Sequence, residues 1–191
     1  MNPLDSQLWS RGSAYADYRQ RVTRNSEVFD EVYREPAYTS RDLELLRLLP
    51  PLRVVAIGED WCPDVYHTLP TWARVAEEIE GWSCRVFERD QNLEMMDCFL
   101  YQGRARRVPV YAFYDQRLYL QTWWSGRGAE AQAAVDGWLD GRTFGELDDA
   151  TREEIGQKFA NGYRDRFRRQ NFLEILDLLS AFFHVRRDAS A

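Results

Sequence analysis

The sequence predicts an α/β fold: a mixed sheet flanked by helices, with additional helices at both ends. Three observations predict it. Short β-branched or aromatic runs alternate with helical patterns between residues 53 and 102. Two more such runs, 109–114 and 118–123, are separated only by Asp115-Gln116-Arg117 and so form a hairpin. The terminal stretches carry apolar residues at helical spacing with no strand among them. At 191 residues the chain is long enough for one well-buried domain. We divide it into an N-terminal helical extension (1–49), a core (50–140) and a C-terminal helical extension (141–191).

In the first extension, residues 13–34 place Tyr15, Tyr18 and Val22 on one helical face. After a break near Asn25-Ser26, Val28, Phe29, Val32 and Tyr33 continue the pattern until Pro36 ends it. Thr39-Ser40-Arg41-Asp42 has the form of a capping box ahead of a short leucine-rich helix that runs to Pro50-Pro51. The core opens on Arg53-Val54-Val55-Ala56-Ile57, a β-branched run expected of a strand buried on both faces. Pro63 suits the first turn of a helix over 62–80, because a proline there sacrifices no intrahelical hydrogen bond. A strand at 84–88, a helix at 92–102, the hairpin and a helix at 128–139 follow, with Gly81 and Gly103 as helix stops. Gly141 to Gly145 reads as a linker. Ile155, Phe159, Tyr163 and Phe167 then recur every four residues, and Leu173, Leu176, Leu179 and Phe183 continue a helical face. This is either one long helix or one that bends near Gln170-Asn171. These terminal helices are expected to cover the sheet or each other; a homodimer or partner surface is the alternative.

Composition excludes several functions. The net charge of −6 opposes the basic field that a nucleic-acid surface needs. No apolar run approaches the roughly 20 residues that cross a bilayer, and the first ten residues lack the basic start and apolar core of a secretory signal. Three cysteines without framework spacing suggest a reducing, cytoplasmic setting. No set of metal ligands has workable spacing and no glycine-rich phosphate loop is present, so neither metal nor cofactor is expected.

Chemistry is expected at Glu59-Asp60-Trp61-Cys62-Pro63-Asp64-Val65, where a strand gives way to a helix. A thiol at a helix N-terminus faces unpaired N–H groups that favour the thiolate. This stretch resembles the W-C-x-x-C active site of thioredoxin-like proteins, and most closely a bacterial branch bearing E-D-W-C-x-D-C. Pro70 stands where thioredoxins have a kinking proline, and Val108-Pro109 where they have a cis-proline loop. The resemblance covers about residues 50–140 and implies a thioredoxin-like fold. Val65 replaces the second cysteine of the motif, and Ala56 stands where thioredoxins carry a buried carboxylate.

On this resemblance Cys62 is the catalytic nucleophile, and Trp61, Val108, Pro109 and Trp124 contact substrate. Alternation along the strand lets at most one of Trp123 and Trp124 point into the core, and packing beneath the last helix is the bland alternative to groove lining. Asp60, Pro63, Asp64 and Arg107 are expected to tune the thiol. The helix terminus favours thiolate by about 0.3–2 kcal/mol, whereas a carboxylate about 4 Å away opposes it by about 1 kcal/mol in water; Arg104, Arg106 and Arg107 offset the acids. Cys84 and Cys98 are expected as small core residues rather than resolving thiols. His67, about 140° around a helix from Cys62, is not placed to pair with it.

Two functions remain open. In the first, a monothiol protein exchanges thiols with a protein disulfide or a low-molecular-weight thiol through Cys62, and an external thiol releases the product. In the second, a redox-inactive thioredoxin-like protein binds or scaffolds a partner. A third, in which Cys62 is an oxidation sensor, is weaker.

Overall fold

The computed structural model describes residues 4–185. Four short helices come first: α1 (Ser6–Arg11), α2 (Tyr15–Arg21), α3 (Ser26–Arg34) and α4 (Ser40–Leu46). The break between α2 and α3 falls at the expected Asn25, which adopts a left-handed conformation, and α4 begins with the Thr39–Asp42 capping box. α1 was not expected; Asp5 caps it by accepting from the Leu8 amide at 2.7 Å.

The sheet has four strands in the order β2-β1-β3-β4: β1 (Arg53–Gly58), β2 (Ser83–Glu88), β3 (Val110–Tyr114) and β4 (Leu120–Ser125). β1 pairs parallel with β2 and antiparallel with β3, and β3 pairs antiparallel with β4. Every residue of β3 is buried, which accounts for its unbroken apolar run. β4 starts two residues later than its sequence pattern suggests. Asp115 Oδ1 accepts from the amides of Arg117 and Tyr119 and Leu118 takes a positive φ, so the turn reaches Tyr119.

The helix expected over 62–80 is two helices, α5 (Pro63–Tyr66) and α6 (Leu69–Glu78), broken at His67 and Thr68. Pro70 has no N–H to give the Tyr66 carbonyl, and its ring crowds that turn. The helix expected at 92–102 also shortens, to α7 (Leu93–Met96) and a 3-10 turn at Asp97–Phe99. Leu100 is extended, and the left-handed Gln102 and Gly103 close a turn that pairs Tyr101 with Ala105.

On one face of the sheet, Trp72 of α6 packs against Tyr111, Phe113 and Phe172. On the other, Phe99 meets Trp123. The C-terminal region comprises α8 (Ala129–Leu139), α9 (Asp149–Gly162) and α10 (Arg168–Phe182). Asp148 caps α9 by accepting from the Thr151 amide at 2.8 Å. α9 and α10 are joined by a π turn at Tyr163–Phe167, and Gln170-Asn171 lies in regular helix. Gly162 makes room for that turn, because a Cβ on it would sit 2.1 Å from the Phe167 ring. A small second core of Ala131, Val135, Phe159, Tyr163 and Phe167 ties α8 to α9 and the π turn.

Candidate functional site

Cys62 closes the loop after β1 and forms the N-cap of α5. Its side chain is only 6% exposed, and its thiol donates to the Val108 carbonyl at 3.6 Å. The Val108–Pro109 bond is cis. Burial pushes the Cys62 thiol up to about 11 and the Asp64 carboxylate adds to this, against the pull of the Val65 and Asp64 amides and of Arg127. Because α5 is a single turn, few aligned peptides stand behind the thiol, and desolvation prevails over the helix-terminus effect that the sequence suggests.

Val65, three residues after Cys62, is fully buried. It fits because Gly58 has no side chain: a Cβ there would lie 2.8 Å from Val65 Cγ1. Cys62, Cys84 and Cys98 are all free thiols. Cys84 is half-buried on β2, where burial pushes its thiol up to about 12. Cys98, expected in the core, is exposed, with its thiol 3.6 Å from the Glu94 carbonyl.

The acids of the motif have separate structural tasks. Asp60 accepts from the amides of Thr23 and Arg24 at 3.1 Å each, and its carbonyl accepts from Asn25, which fastens the α2–α3 loop to the motif. Asp64 is buried and accepts from Arg127 Nε at 3.1 Å to each oxygen and from Nη2 at 3.0 Å. The Tyr163 hydroxyl also donates to it. Arg127 lies over the Phe159 ring, 4.7 Å from its centroid, so α9 and the π turn complete the surroundings of the motif helix. The cation acting on the thiol is therefore Arg127, not the expected Arg107, which sits over the Tyr101 ring and donates to Gln132 at 3.3 Å. Arg106 pairs with Asp97.

His67 serves packing. Its ring stacks on Tyr163 with centroids 4.4 Å apart, and its Nδ1 accepts from Arg168 Nε at 3.2 Å. Burial, helped by the Arg168 and Arg164 charges, lowers it to about 3.

Trp61, Cys62, Asp64, Arg107 and Val108 line one open groove of about 510 Å³, whose far wall comes from α8 and the segment through Phe144. Trp61 is 41% exposed and carries the Arg89 guanidinium 5.0 Å over its ring. Two expected contact residues stand apart from it. Pro109 is buried, its carbonyl accepting from Gly126 at 2.8 Å. Trp124 turns beneath α10, where its indole donates to Glu174 at 2.8 Å and stacks on Tyr111. Register explains the second case: Trp124 pairs with Tyr111, whose side chain faces α6. Sequence reasoning missed Tyr163 as a site residue. Its four-residue spacing from Phe159 and Phe167 identified it only as part of an apolar face.

Among the described residues no cluster of three metal-ligating side chains occurs, and no helix is long and apolar enough to cross a membrane.

A family model described as Thioredoxin matches residues 12–142, a span that includes helices α2 to α4. No curated protein matches. Two solved structures resemble the chain in fold. One is a protein of unknown function from Pseudomonas aeruginosa, 15% identical, with a TM-score of 0.62 over 91% of this chain and 95% of that one. The other is an HIV epitope-scaffold, 16% identical, with a TM-score of 0.63 over 92% and 96%. The mixed sheet and the family match agree, and the chain belongs to the thioredoxin family.

Proposed function

We propose that this protein is a redox-silent member of its family, a binding protein that uses the groove beside Cys62 without thiol exchange. The observation that carries this reading is the burial of Cys62 beside Val65, which raises its thiol. With its pKa near 11 rather than the ordinary 9.0, the thiol yields about a hundredfold less thiolate at neutral pH. The greater nucleophilicity of a more basic thiolate recovers only about six- to tenfold of that. Exchange would run about tenfold slower than at a free cysteine even before access is restricted. Val65 also offers no internal thiol to release a mixed disulfide.

A monothiol reading is favoured by one observation: Cys62 lies on the wall of the groove beside the exposed Trp61. On that reading Cys62 attacks a protein disulfide or a small-thiol adduct, and an external low-molecular-weight thiol reduces the resulting mixed disulfide. The pH dependence of Cys62 alkylation, together with turnover of glutathionylated peptides by wild type and Cys62→Ser, separates the two. The binding reading expects an inflection near pH 11 and no difference in turnover. An inflection below pH 8, or turnover that Cys62→Ser abolishes, would favour the monothiol reading.

A further inference from the structure

We propose that the groove beside Cys62 docks an extended acidic segment of a partner protein. The proposal rests on the binding reading above and names the class of partner.

Charge comes first. The chain carries a net charge of −6, yet the groove is lined by five arginines against two aspartates. One of those aspartates, Asp64, is already engaged by Arg127 and Tyr163; the other, Asp136, accepts from Gln132 at 2.7 Å. Arg89 and Arg106 pair with Asp90 and Asp97. Arg107 and Arg142 differ from these. Arg107 spends its contacts on the Tyr101 ring and the Gln132 amide oxygen, and Arg142 donates to the Leu139 carbonyl at 3.2 Å. Among the described residues neither has a carboxylate within 4.0 Å, and the charge of Arg142 acts on Glu146 only from a greater distance. Both are exposed, so each keeps donors for an incoming carboxylate.

Apolar surface comes second. Two of the chain's exposed large apolar side chains line this same groove: Trp61, from the loop before α5, and Phe144, from the segment after α8 and 47% exposed. The half-buried Leu139 adds aliphatic surface. Cations interleaved with rings in an open groove of about 510 Å³ suit carboxylates alternating with apolar side chains along an extended peptide. A nucleic-acid strand would need a basic track extending beyond the groove, which the charge of the whole chain opposes.

The test is selection from a displayed library of random decapeptides. It uses the full chain and the charge-reversed pair Arg107→Glu with Arg142→Glu. Wild type should enrich Asp and Glu by about threefold or more over the input, and the selected pool should bind the charge-reversed chain about tenfold or more weakly. Retention of the wild-type melting temperature shows that this loss is not unfolding. If the charge-reversed pair does not fold, the milder Arg107→Gln with Arg142→Gln should give a smaller loss in the same direction. No acidic enrichment, no binders, or binding indifferent to these arginines would overturn the proposal. So would displacement of the pool by a ten-nucleotide single strand at lower concentration than by the selected peptides themselves. Intact-mass measurement of the wild-type complexes without reductant reports separately on the binding reading. Selected peptides held only noncovalently uphold it, whereas a mixed disulfide between Cys62 and cysteine-containing peptides would overturn it even if the acidic preference stands.

Discussion

The hydroxyl of Tyr163 donates to the carboxylate of Asp64, across 99 residues of sequence. Asp64 belongs to the motif helix and Tyr163 to the π turn, so the C-terminal region is joined to the site by a buried polar contact. Arg127 supplies the countercharge from the end of the hairpin. A buried carboxylate that loses its cation costs far more than one that loses a neutral donor. Arg127→Met should therefore destabilise the chain by about 3–5 kcal/mol, and Tyr163→Phe by about 1–3 kcal/mol. Urea denaturation at neutral pH measures both. Similar losses in the two variants would contradict the division of roles.

Asp64 also raises the thiol of Cys62, after burial itself. Asp64→Asn removes the negative charge and leaves the Arg127 cation, so the thiol pKa should fall below its value of about 11. Alkylation at pH 8 should accelerate roughly three- to tenfold. Iodoacetamide labelling followed by intact-mass measurement gives the rate, and an unchanged rate would show that desolvation alone sets the thiol.

His67 makes stability sensitive to acid. In the folded chain it takes up a proton only near pH 3, whereas the unfolded chain does so near its ordinary 6.5. Protons therefore favour unfolding as pH falls through 6.5, and the contribution of neutral His67 is fully present above that value. Between pH 6.5 and 4.5 wild type should lose about 2–3 kcal/mol more than His67→Gln. Chemical denaturation of both proteins across that window gives the difference; parallel pH profiles would show that the ring is not held neutral.

Gly162 tests the π turn. Its Cβ would meet Phe167 at 2.1 Å, and Phe167 is packed in the second core and cannot move freely. Gly162→Ala should destabilise by about 1–3 kcal/mol through overpacking, although alanine is the better helix former. A near-UV circular dichroism change from the Tyr163 environment should accompany the loss. A gain in stability would mean that the turn relaxes to regular helix at no cost.

Much of the fold was legible in the sequence because it rests on local rules. The β-branched run at 53–57, the capping box at Thr39 and the proline at position 63 each encode their own element. The helix expected at 92–102 was misread because Leu100 leaves the helix and the left-handed Gln102 and Gly103 close a turn, and a helical apolar pattern reveals neither. At the site, Cys62, Trp61 and Val108, which the sequence singles out at the strand-to-helix turn and the proline loop, share one groove. The sequence misassigned Trp124, since alternation states that neighbouring tryptophans diverge without stating which face carries α10.

By itself, then, the sequence determined the succession of the four strands and the place of Cys62 between the first of them and a helix, which follow from residue type and spacing. The tertiary structure decided the surroundings of that cysteine. Burial beneath the Val108 loop and the approach of Asp64, held by Arg127 and Tyr163, raise its thiol above the ordinary value. The physical reason is that a pKa depends on solvent exclusion and on charges brought near through space, and Tyr163 and Arg127 reach the motif only once the chain has folded.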